Sequence, residues 1–235
     1  TENLDWTAAV LKRIIEFTQN GGEINIIVSS INVGAQSYWN AEATMLMHTC
    51  GLLIMTDDAS MLLTGKKALD FSGSVSGDNN LDIGGVEKIM GPNGQAQFRV
   101  SNIAEAYNIL FRHYRLTYLL PSESERYSGF RKTEDPSGRD ISVNTYIDNY
   151  GQGFETIGDI FSIEKNPERK KPFDIRQIMN AVKDGDSDYL ERWQLMADSD
   201  TSVIWETRIG GYSAGMIGIE SRTIPMIGEI PYDGD

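Results

Sequence analysis

The chain has 235 residues, of which 21 are Lys or Arg and 34 are Asp or Glu, so its formal net charge at pH 7 is −13. Nucleic acid and anionic membranes bind basic surfaces, and this charge argues against both as partners. Hydrophobic residues make up 40% of the sequence and charged residues 23%, as in an ordinary globular protein of one or two domains.

Cysteine usage and the first residues indicate the compartment. Cys50 is the only cysteine, which excludes an internal disulfide and a zinc site built from cysteines. This fits a reducing cytoplasm, where we expect the protein to act. No apolar run is as long as a membrane span, and the first residues lack the pattern of a signal peptide. Because no initiator Met is present, we expect the chain to be an excerpt from a longer protein.

The first half of the chain alternates apolar strands with helices. Apolar residues at helical spacing predict a first helix over 4–19, which Asn20-Gly21-Gly22 ends. The β-α-β order after it points to an α/β unit with right-handed crossovers. The predicted elements are a buried strand at 24–30, a helix from Gly34 to about His48, a strand at 51–56, a short segment at 60–64, loops over 70–98, and a helix from the cap Ser101 to Tyr118 with an apolar stripe of Ile103, Tyr107, Leu110, Phe111 and Tyr114.

The second half begins with a change of character. Residues 121–153 are polar, charged and weakly periodic, which predicts an exposed connection containing a lobe boundary. Asp174, followed three residues later by Gln177, predicts a capped helix start. The other predicted elements are a short strand or helical turn within 154–163, a helix around 188–196 carrying Leu190, Trp193 and Met196, and strands at 202–209 and 212–222 joined by a Gly210-Gly211 turn. No internal repeat is evident.

The most informative feature is the junction at Gly34, where an apolar strand runs into a glycine turn and a helix opens directly out of it. Backbone N–H groups at such a junction can stabilise a developing oxyanion. The candidate chemistry is therefore carried by the main chain rather than by a nucleophilic side chain. From these residues alone, a tight structural turn is an equally good interpretation.

Two segments resemble a known family. The stretch EINIIVSSINVGAQSYWNAEATMLM, with the later LLTG and IGGVEKIMGPNG, resembles the N-terminal lobe of biotin-dependent carboxyltransferases. The stretch KKPFDIRQIMNAVKDGDSDYLERW, followed by TRIGGYSAGMIGIESR, resembles the start of the C-terminal lobe. More narrowly, the chain looks like the carboxyltransferase part of a fused, single-chain acetyl- or propionyl-CoA carboxylase. The implied division is the C-terminal part of the N-lobe at 1–120, a connecting segment at 121–169 and the start of the C-lobe at 170–235.

The resemblance implies an α/β, crotonase-like superhelix of ββα units in two lobes, both partial in this chain. It implies transfer of a carboxyl group from carboxybiotin to the α-carbon of an acyl-CoA through an enolate, as in fatty acid biosynthesis. The implied partners are the acyl-CoA, biotin carboxylase and biotin carboxyl carrier domains or subunits, and a second copy in a homodimer or higher oligomer. Biotin is the implied cofactor, its binding residues are expected outside this chain, and no metal is implied.

The resemblance also assigns site residues. Asn32-Val33-Gly34-Ala35 stands where the family commonly has a run such as Ala-Gly-Gly-Ala. Gly34 and Ala35, with Val33 next, are the expected catalytic N–H donors, and the Val33 departure leaves open which of them form the oxyanion hole. The expected substrate-binding residues are Asn32, Tyr38, Gly65, Gly84 and Gly85.

Other conspicuous residues have plainer interpretations. His48 and His113 are the only histidines, and both are predicted to be structural or surface residues. Leu63-Thr64-Gly65-Lys66 lacks the GxxxxGK[ST] spacing of a phosphate loop. Gly210-Gly211 is better explained by a hairpin turn than by an oxyanion element.

Two further functions remain open from the sequence. A hydratase or thioesterase of the crotonase fold would need a carboxylate base, for which Asp82 and Glu87 are the candidates in the matching region. A non-catalytic partial or scaffold subunit is the third possibility, and we expect this chain alone not to catalyse carboxyl transfer. Acetyl and propionyl differ by one methylene, worth only about 1–3 kcal/mol, so acyl chain length stays open.

Overall fold

The computed structural model describes residues 4–41, 51–73, 77–117 and 130–225. The chain divides into two compact units, the first comprising residues 1–110 with 193–197 and the second 111–192 with 198–235. The predicted lobe limits at residues 120 and 170 stay predictions. None of the helices in the described ranges has the length and apolar character needed to cross a membrane.

The first unit contains a repeated ββα arrangement. Two strands and a helix, β1-β2-α2, are followed by a second set, β3-β4-α3. The repeat lies in backbone topology and not in residue identity, which is why the sequence does not reveal it. The elements are α1 (Leu4–Gln19), β1 (Ile26–Val28), β2 (Ile31–Val33), α2 (Ala35–Ala41), β3 (Leu53–Thr56), β4 (Ser60–Leu62), α3 (Lys66–Phe71), α4 (Asn80–Gly84), a π-helix (Val86–Met90), β5 (Phe98–Val100) and the start of α5 (Ile103–Thr117).

The two strands of each set belong to different sheets. β1, β3 and β5 form a parallel sheet in the order β1-β3-β5, and β2 pairs with β4 in parallel. The strand predicted at 24–30 is confirmed as β1 but is shorter, and β2 after it was not predicted; the chain turns between them at Ser30, whose φ is 69°. A left-handed residue cannot continue an extended strand. The core of the unit consists of Val28, Leu53, Met55, Ala59, Met61, Val86 and Ala96.

The stretch 70–98 contains helices where loops were predicted. Asn79 caps α4 by accepting the N–H groups of Leu81 and Asp82 at 2.8 and 3.2 Å, and the Asp82 carboxylate accepts the N–H of Asn79 in return. This is a capping box. The Asn-x-x-Asp spacing was a readable signal, which the surrounding Gly, Asn and Ser residues obscured.

Helix α5 is confirmed at Ile103–Thr117, but its cap and buried face differ from the prediction. The side-chain oxygen of Asn102 accepts the N–H of Glu105 at 3.1 Å, so Asn102 takes the role predicted for Ser101. Most of the predicted apolar stripe is not buried, since Ile103, Tyr107 and Phe111 are each about half exposed. The buried residues of α5 are Ala106, His113 and Leu116.

The second unit is built around an antiparallel sheet in the order β6-β7-β8. The hairpin of β7 and β8 is confirmed, with Ile209 opposite Tyr212 and left-handed φ values of 60° and 83° at Gly210 and Gly211. The elements are the end of α5, 3₁₀ turns at Ile141–Val143 and Pro167–Arg169, α6 (Ile157–Phe161), α7 (Ile175–Val182), β6 (Leu190–Arg192), β7 (Ser202–Ile209) and β8 (Tyr212–Ile219).

The helix predicted around 188–196 is wrong. Leu190 pairs with Glu206 as the first residue of β6, and its side chain is buried. A short apolar pattern does not distinguish a strand from a helix, and pairing with β7 decides the outcome here.

Part of the predicted exposed connection is buried. Tyr146 is 4% exposed, and its hydroxyl accepts the N–H of Asp174 at 2.8 Å. Asp174 caps α7 as predicted, by accepting the N–H of Arg176 at 2.9 Å. Gln177 bonds instead to both backbone groups of Ile147, at 2.8 and 2.9 Å. The core here consists of Tyr146, Phe154, Ile157, Ile160 and Ala181.

Candidate oxyanion site

β2 ends in the turn from which α2 opens, and Gly34 makes that turn. Its φ of 74° lies in the left-handed region, which favours glycine. A Cβ added to Gly34 would meet no atom of the described residues within 4 Å. The glycine is therefore required by backbone conformation and not by crowding, and the space beside it is open.

The three predicted N–H donors differ in their partners. The N–H of Gly34 donates to the carbonyl of Leu62 on β4 at 2.8 Å, so it is already used. Successive N–H groups of a strand point to opposite edges, which directs the N–H of Val33 away from β4. Ala35 is the first residue of α2, where an N–H has no acceptor within the helix, and it has none elsewhere in the described part of the chain. Within the part of the chain that the structure describes, the turn leaves the N–H groups of Val33 and Ala35 open.

A buried polar network that the sequence did not reveal fixes this turn. The hydroxyl of Ser37 lies 3.1 Å from the carbonyl oxygen of Asn32 and 2.9 Å from that of Leu62. The amide of Asn40 donates to the side-chain oxygen of Asn32 at 3.1 Å. Ser37 and Asn40 are 5% and 2% exposed. Two polar residues three apart on a helix that follows an apolar strand were the available signal. Asn32, predicted to bind substrate, is held by this network.

Gly84 allows α4 to lie directly against β4, and Gly85 closes the C-terminal end of α4. A Cβ on Gly84 would lie 2.2 Å from the carbonyl oxygen of Met61, and one on Gly85 would lie 2.4 Å from that of Leu81. Gly85 also forms an isolated β-bridge with Ser60. β4 therefore has β2 on one edge and the glycine pair on the other. The structure brings the two predicted glycine elements onto the same strand, one at each edge.

The other predicted substrate residues lie nearby in the fold. β2 and β4 are parallel, so the turns after them, containing Gly34 and Gly65, are at the same end of the pair. Asn80 accepts the N–H of Lys66 at 3.0 Å, which joins the start of α3 to α4. Tyr38 on α2 is 58% exposed. A surface pocket of about 540 Å³ is lined by Gly65, Lys66, Lys67, Ala68, Asp70, Asp78, Asn79 and Asn80.

Asp82 and Glu87 are the candidate carboxylate bases, and neither lies in surroundings that favour a general base. A hydrogen bond from Lys88 holds the pKa of Asp82 below its usual range, and the same carboxylate completes the cap of α4. Glu87 is exposed and lies 3.5 Å from the guanidinium of Arg99. A general base benefits from a raised pKa, and the pKa of Asp82 is shifted in the opposite direction.

The histidines and the second glycine pair have structural roles where they are described. His113 is 2% exposed, with Nδ1 2.7 Å from the carboxylate of Glu206, so it is structural and not a surface residue. Gly210 and Gly211 donate their N–H groups to Asp184. His48 lies outside the described residues. Within the described ranges, no group of three or more His, Cys, Asp or Glu side chains is placed to hold a metal ion.

Comparison with known proteins identifies relatives for most of the chain. The family profile described as Carboxyl transferase domain matches residues 40–231. The match begins after the turn at Asn32–Ala35, so the candidate N–H donors lie outside it. A search of curated proteins finds no match.

Solved structures share the fold. A single-chain, multi-domain long-chain acyl-CoA carboxylase is 15% identical over 88% of this chain, with a TM-score of 0.57. Transcarboxylase 12S with hydrolysed methylmalonyl-CoA bound is 22% identical over 92%, with a TM-score of 0.60, and the same enzyme with methylmalonyl-CoA and methylmalonic acid is 23% identical, with a TM-score of 0.58. This chain spans only 17% of the first structure's chain and 37% and 36% of the others.

Proposed function

Because the chain belongs to the carboxyl transferase domain family, we propose that it is part of a biotin-dependent enzyme that carboxylates an acyl-CoA. The observation that carries this proposal is the family match over residues 40–231, joined to a strand–turn–helix with open amides just before it. The predicted crotonase-like superhelix is supported by the repeated ββα arrangement of the first unit. The two-lobed division, the oligomer, the carrier and biotin carboxylase partners, and the cytoplasmic location belong to the proposal.

The turn at Gly34 would stabilise the enolate of the acyl-CoA. When the substrate loses its α-proton, negative charge develops on the thioester oxygen, and preorganised N–H groups lower the energy of that charge. We assign this role to Ala35 and Val33, with Gly34 shaping the turn through its left-handed φ. Asn32 would act indirectly, through the network that holds the turn. The proposed substrate contacts are Tyr38, Gly65, Gly84 and Gly85.

Carboxybiotin, held on a separate carrier, would supply the carboxyl group. The turn at Gly210-Gly211 does not serve as an oxyanion hole for it, because its N–H groups are occupied by Asp184. We assign no residue of this chain to biotin, and the location of the biotin site outside the chain stays part of the proposal.

The test uses the complete natural protein and the reverse reaction. Loss of CO₂ from malonyl-CoA and methylmalonyl-CoA is followed with and without free biotin. We expect decarboxylation that requires biotin, and the preferred substrate decides between acetyl and propionyl. Hydration or hydrolysis of an acyl-CoA without biotin-dependent decarboxylation would contradict the proposal and favour another crotonase-fold enzyme. No reaction with any acyl-CoA would favour a non-catalytic subunit.

A single variant separates the two enzyme hypotheses. Asp82→Asn removes the carboxylate that a hydratase or thioesterase would need as its base. On our account it weakens the cap of α4 and leaves carboxyl transfer within about twofold of wild type, since a lost cap costs only about 0.5–2 kcal/mol of stability. Loss of all acyl-CoA activity in a folded variant would favour the base.

A further inference from the structure

We propose that the segment Trp193–Ala197 positions the candidate oxyanion site, with Trp193 as its main positioning residue. The inference rests on the proposed function. This segment lies between β6 and β7 in the sequence, yet it belongs to the first compact unit. Its contacts within that unit lead, step by step, to both glycine elements of the site.

The first step is a set of hydrogen bonds to one turn, residues 91–97. The indole Nε1 of Trp193 donates to the carbonyl of Gly94 at 2.9 Å, and the backbone N–H of Trp193 donates to that of Gln97 at 3.2 Å. The N–H of Ala197 donates to the carbonyl of Pro92 at 2.9 Å. The segment is thus bonded along the length of the turn.

The second step is close packing against two glycines of the turn. A Cβ on Gly91 would lie 2.9 Å from the Cβ of Leu195, and a Cβ on Gly94 would lie 3.0 Å from the sulfur of Met196. Trp193 itself has a φ of 58°, an uncommon conformation for a bulky residue. Such strain persists only where the surrounding contacts hold it, and it concentrates at functional sites and clamps.

The third step runs from the turn to the site. The side-chain amide of Gln95 in the turn donates to the carbonyl of Ala41 on α2 at 3.3 Å. The N–H of Gln97 donates to the carbonyl of Leu53 on β3 at 3.0 Å. The turn directly follows the π-helix, which begins right after Gly85. Single-turn π-helices are frequent at functional sites. The 91–97 turn therefore contacts α2, which begins after Gly34. It also directly follows the π-helix, which begins after Gly85.

The consequence concerns placement and not chemistry, because the contacts of the segment described above are with the 91–97 turn and not with the reacting groups. Oxyanion stabilisation depends strongly on geometry, and a misplacement of about 1 Å by a distant mutation can reduce the rate about 100-fold. Loosening the 91–97 turn would release α2 at its Ala41 end. The Ser37 and Asn40 bonds would still hold α2 to β2 and β4, so we expect a small shift of the Ala35 N–H and not its release.

The experiment compares Trp193→Phe with Trp6→Phe in the natural protein. Trp193→Phe removes the indole donor and keeps an aromatic ring, whereas Trp6 is 77% exposed and serves as the matched control. We expect Trp193→Phe to lower kcat for biotin-dependent decarboxylation about 10- to 100-fold, while Tm falls by no more than about 4 °C. A merely structural role predicts a lower Tm and an unchanged kcat per folded molecule.

Hydrogen exchange gives a second measurement that does not need activity. In Trp193→Phe we expect faster exchange both in the turn, residues 91–97, and in α2, residues 35–41, with Trp6→Phe unchanged. Unchanged kcat in an active enzyme would overturn the inference. If the wild type shows no carboxyl transfer, the proposed function fails by itself, and unchanged exchange in residues 35–41 would then overturn the positioning role as well.

Discussion

Two glycine turns of this chain share a backbone conformation and differ in what their amides do. Gly34 has a φ of 74°, and Gly210 and Gly211 have φ values of 60° and 83°. In the hairpin, the N–H groups of Gly210 and Gly211 donate to the carboxylate of Asp184 at 2.5 and 2.8 Å. In the other turn, Ala35 has no acceptor among the described residues. A glycine turn is a candidate anion site only where its amides are left open.

The hairpin turn is closed by more than one group. Asp184 is 4% exposed, and its own N–H donates to the carbonyl of Arg208 at 2.9 Å. The guanidinium of Arg208 donates to the carbonyls of Gly211 and Arg115, at 2.8 and 3.3 Å. Arg115 is in the last turn of α5, where a cation stabilises the helix end. This region is a structural clamp, with its donors and acceptors matched internally.

Removal of Asp184 is expected to have the largest effect on stability. Asp184→Ala removes the carboxylate that accepts the buried N–H of Gly211 and the exposed N–H of Gly210, and each hydrogen bond to a charged group contributes about 1.5–3 kcal/mol. We expect the free energy of unfolding, measured with urea, to fall by about 2–5 kcal/mol in total. The exposed Asp200 provides the control, and Asp200→Ala should change the free energy of unfolding by less than about 0.5 kcal/mol. A loss below about 1 kcal/mol in Asp184→Ala would show that the clamp is not needed.

Alanine at the glycines of the two turns gives the next largest effects. A Cβ on Gly211 would lie 2.2 Å from the carbonyl oxygen of Arg131, whereas a Cβ on Gly34 meets no atom of the described residues within 4 Å. Left-handed strain costs about 1–2 kcal/mol at both positions, and crowding adds about 1–3 kcal/mol at Gly211 alone. In thermal unfolding, Gly211→Ala should therefore have a lower Tm than Gly34→Ala. Equal losses of stability at the two positions would mean that the space beside Gly34 is not open.

The smallest expected effect is the pH-dependent contribution of the Arg112–Asp188 pair to stability. A double hydrogen bond from Arg112, at 2.6 and 2.9 Å, holds the pKa of Asp188 below its usual range. A lowered pKa adds stability above the ordinary pKa, and this stability is lost as pH falls through the lower value. Because the pair is partly exposed, Asp188→Asn should cost only about 0.5–1 kcal/mol at pH 7. Urea unfolding should show that the difference shrinks towards about pH 3, and a constant difference would contradict the assignment.

Sequence reasoning identified elements whose signals are local. Helix α1 and the start of α7 follow from periodicity and capping, and the hairpin follows from Gly210-Gly211 between two alternating strands. It failed where tertiary pairing decides the outcome. Leu190 joins a strand because β7 lies beside it, and Ser30 turns the chain so that β1 before it and β2 after it join different sheets.

The sequence predicts where the turn lies but not which N–H groups of the turn are free to donate. The order of strand, glycine and helix located the junction at Gly34. The sequence gives no sign that the N–H of Gly34 is used by Leu62, because that bond depends on the register of β2 with β4. Ser37 and Asn40 were missed for the same reason, since their partners are carbonyl and side-chain groups brought close only by folding.

The most direct test of the account removes one open amide. Ala35→Pro deletes the N–H at the first position of α2, where proline is well tolerated. We expect kcat for biotin-dependent decarboxylation to fall about 100- to 1000-fold, as for loss of an oxyanion donor, with Tm close to wild type. Ile103→Pro makes the same change at the first position of α5 and should keep full activity. Wild-type activity in a folded Ala35→Pro variant would contradict the central claim that this turn stabilises the enolate.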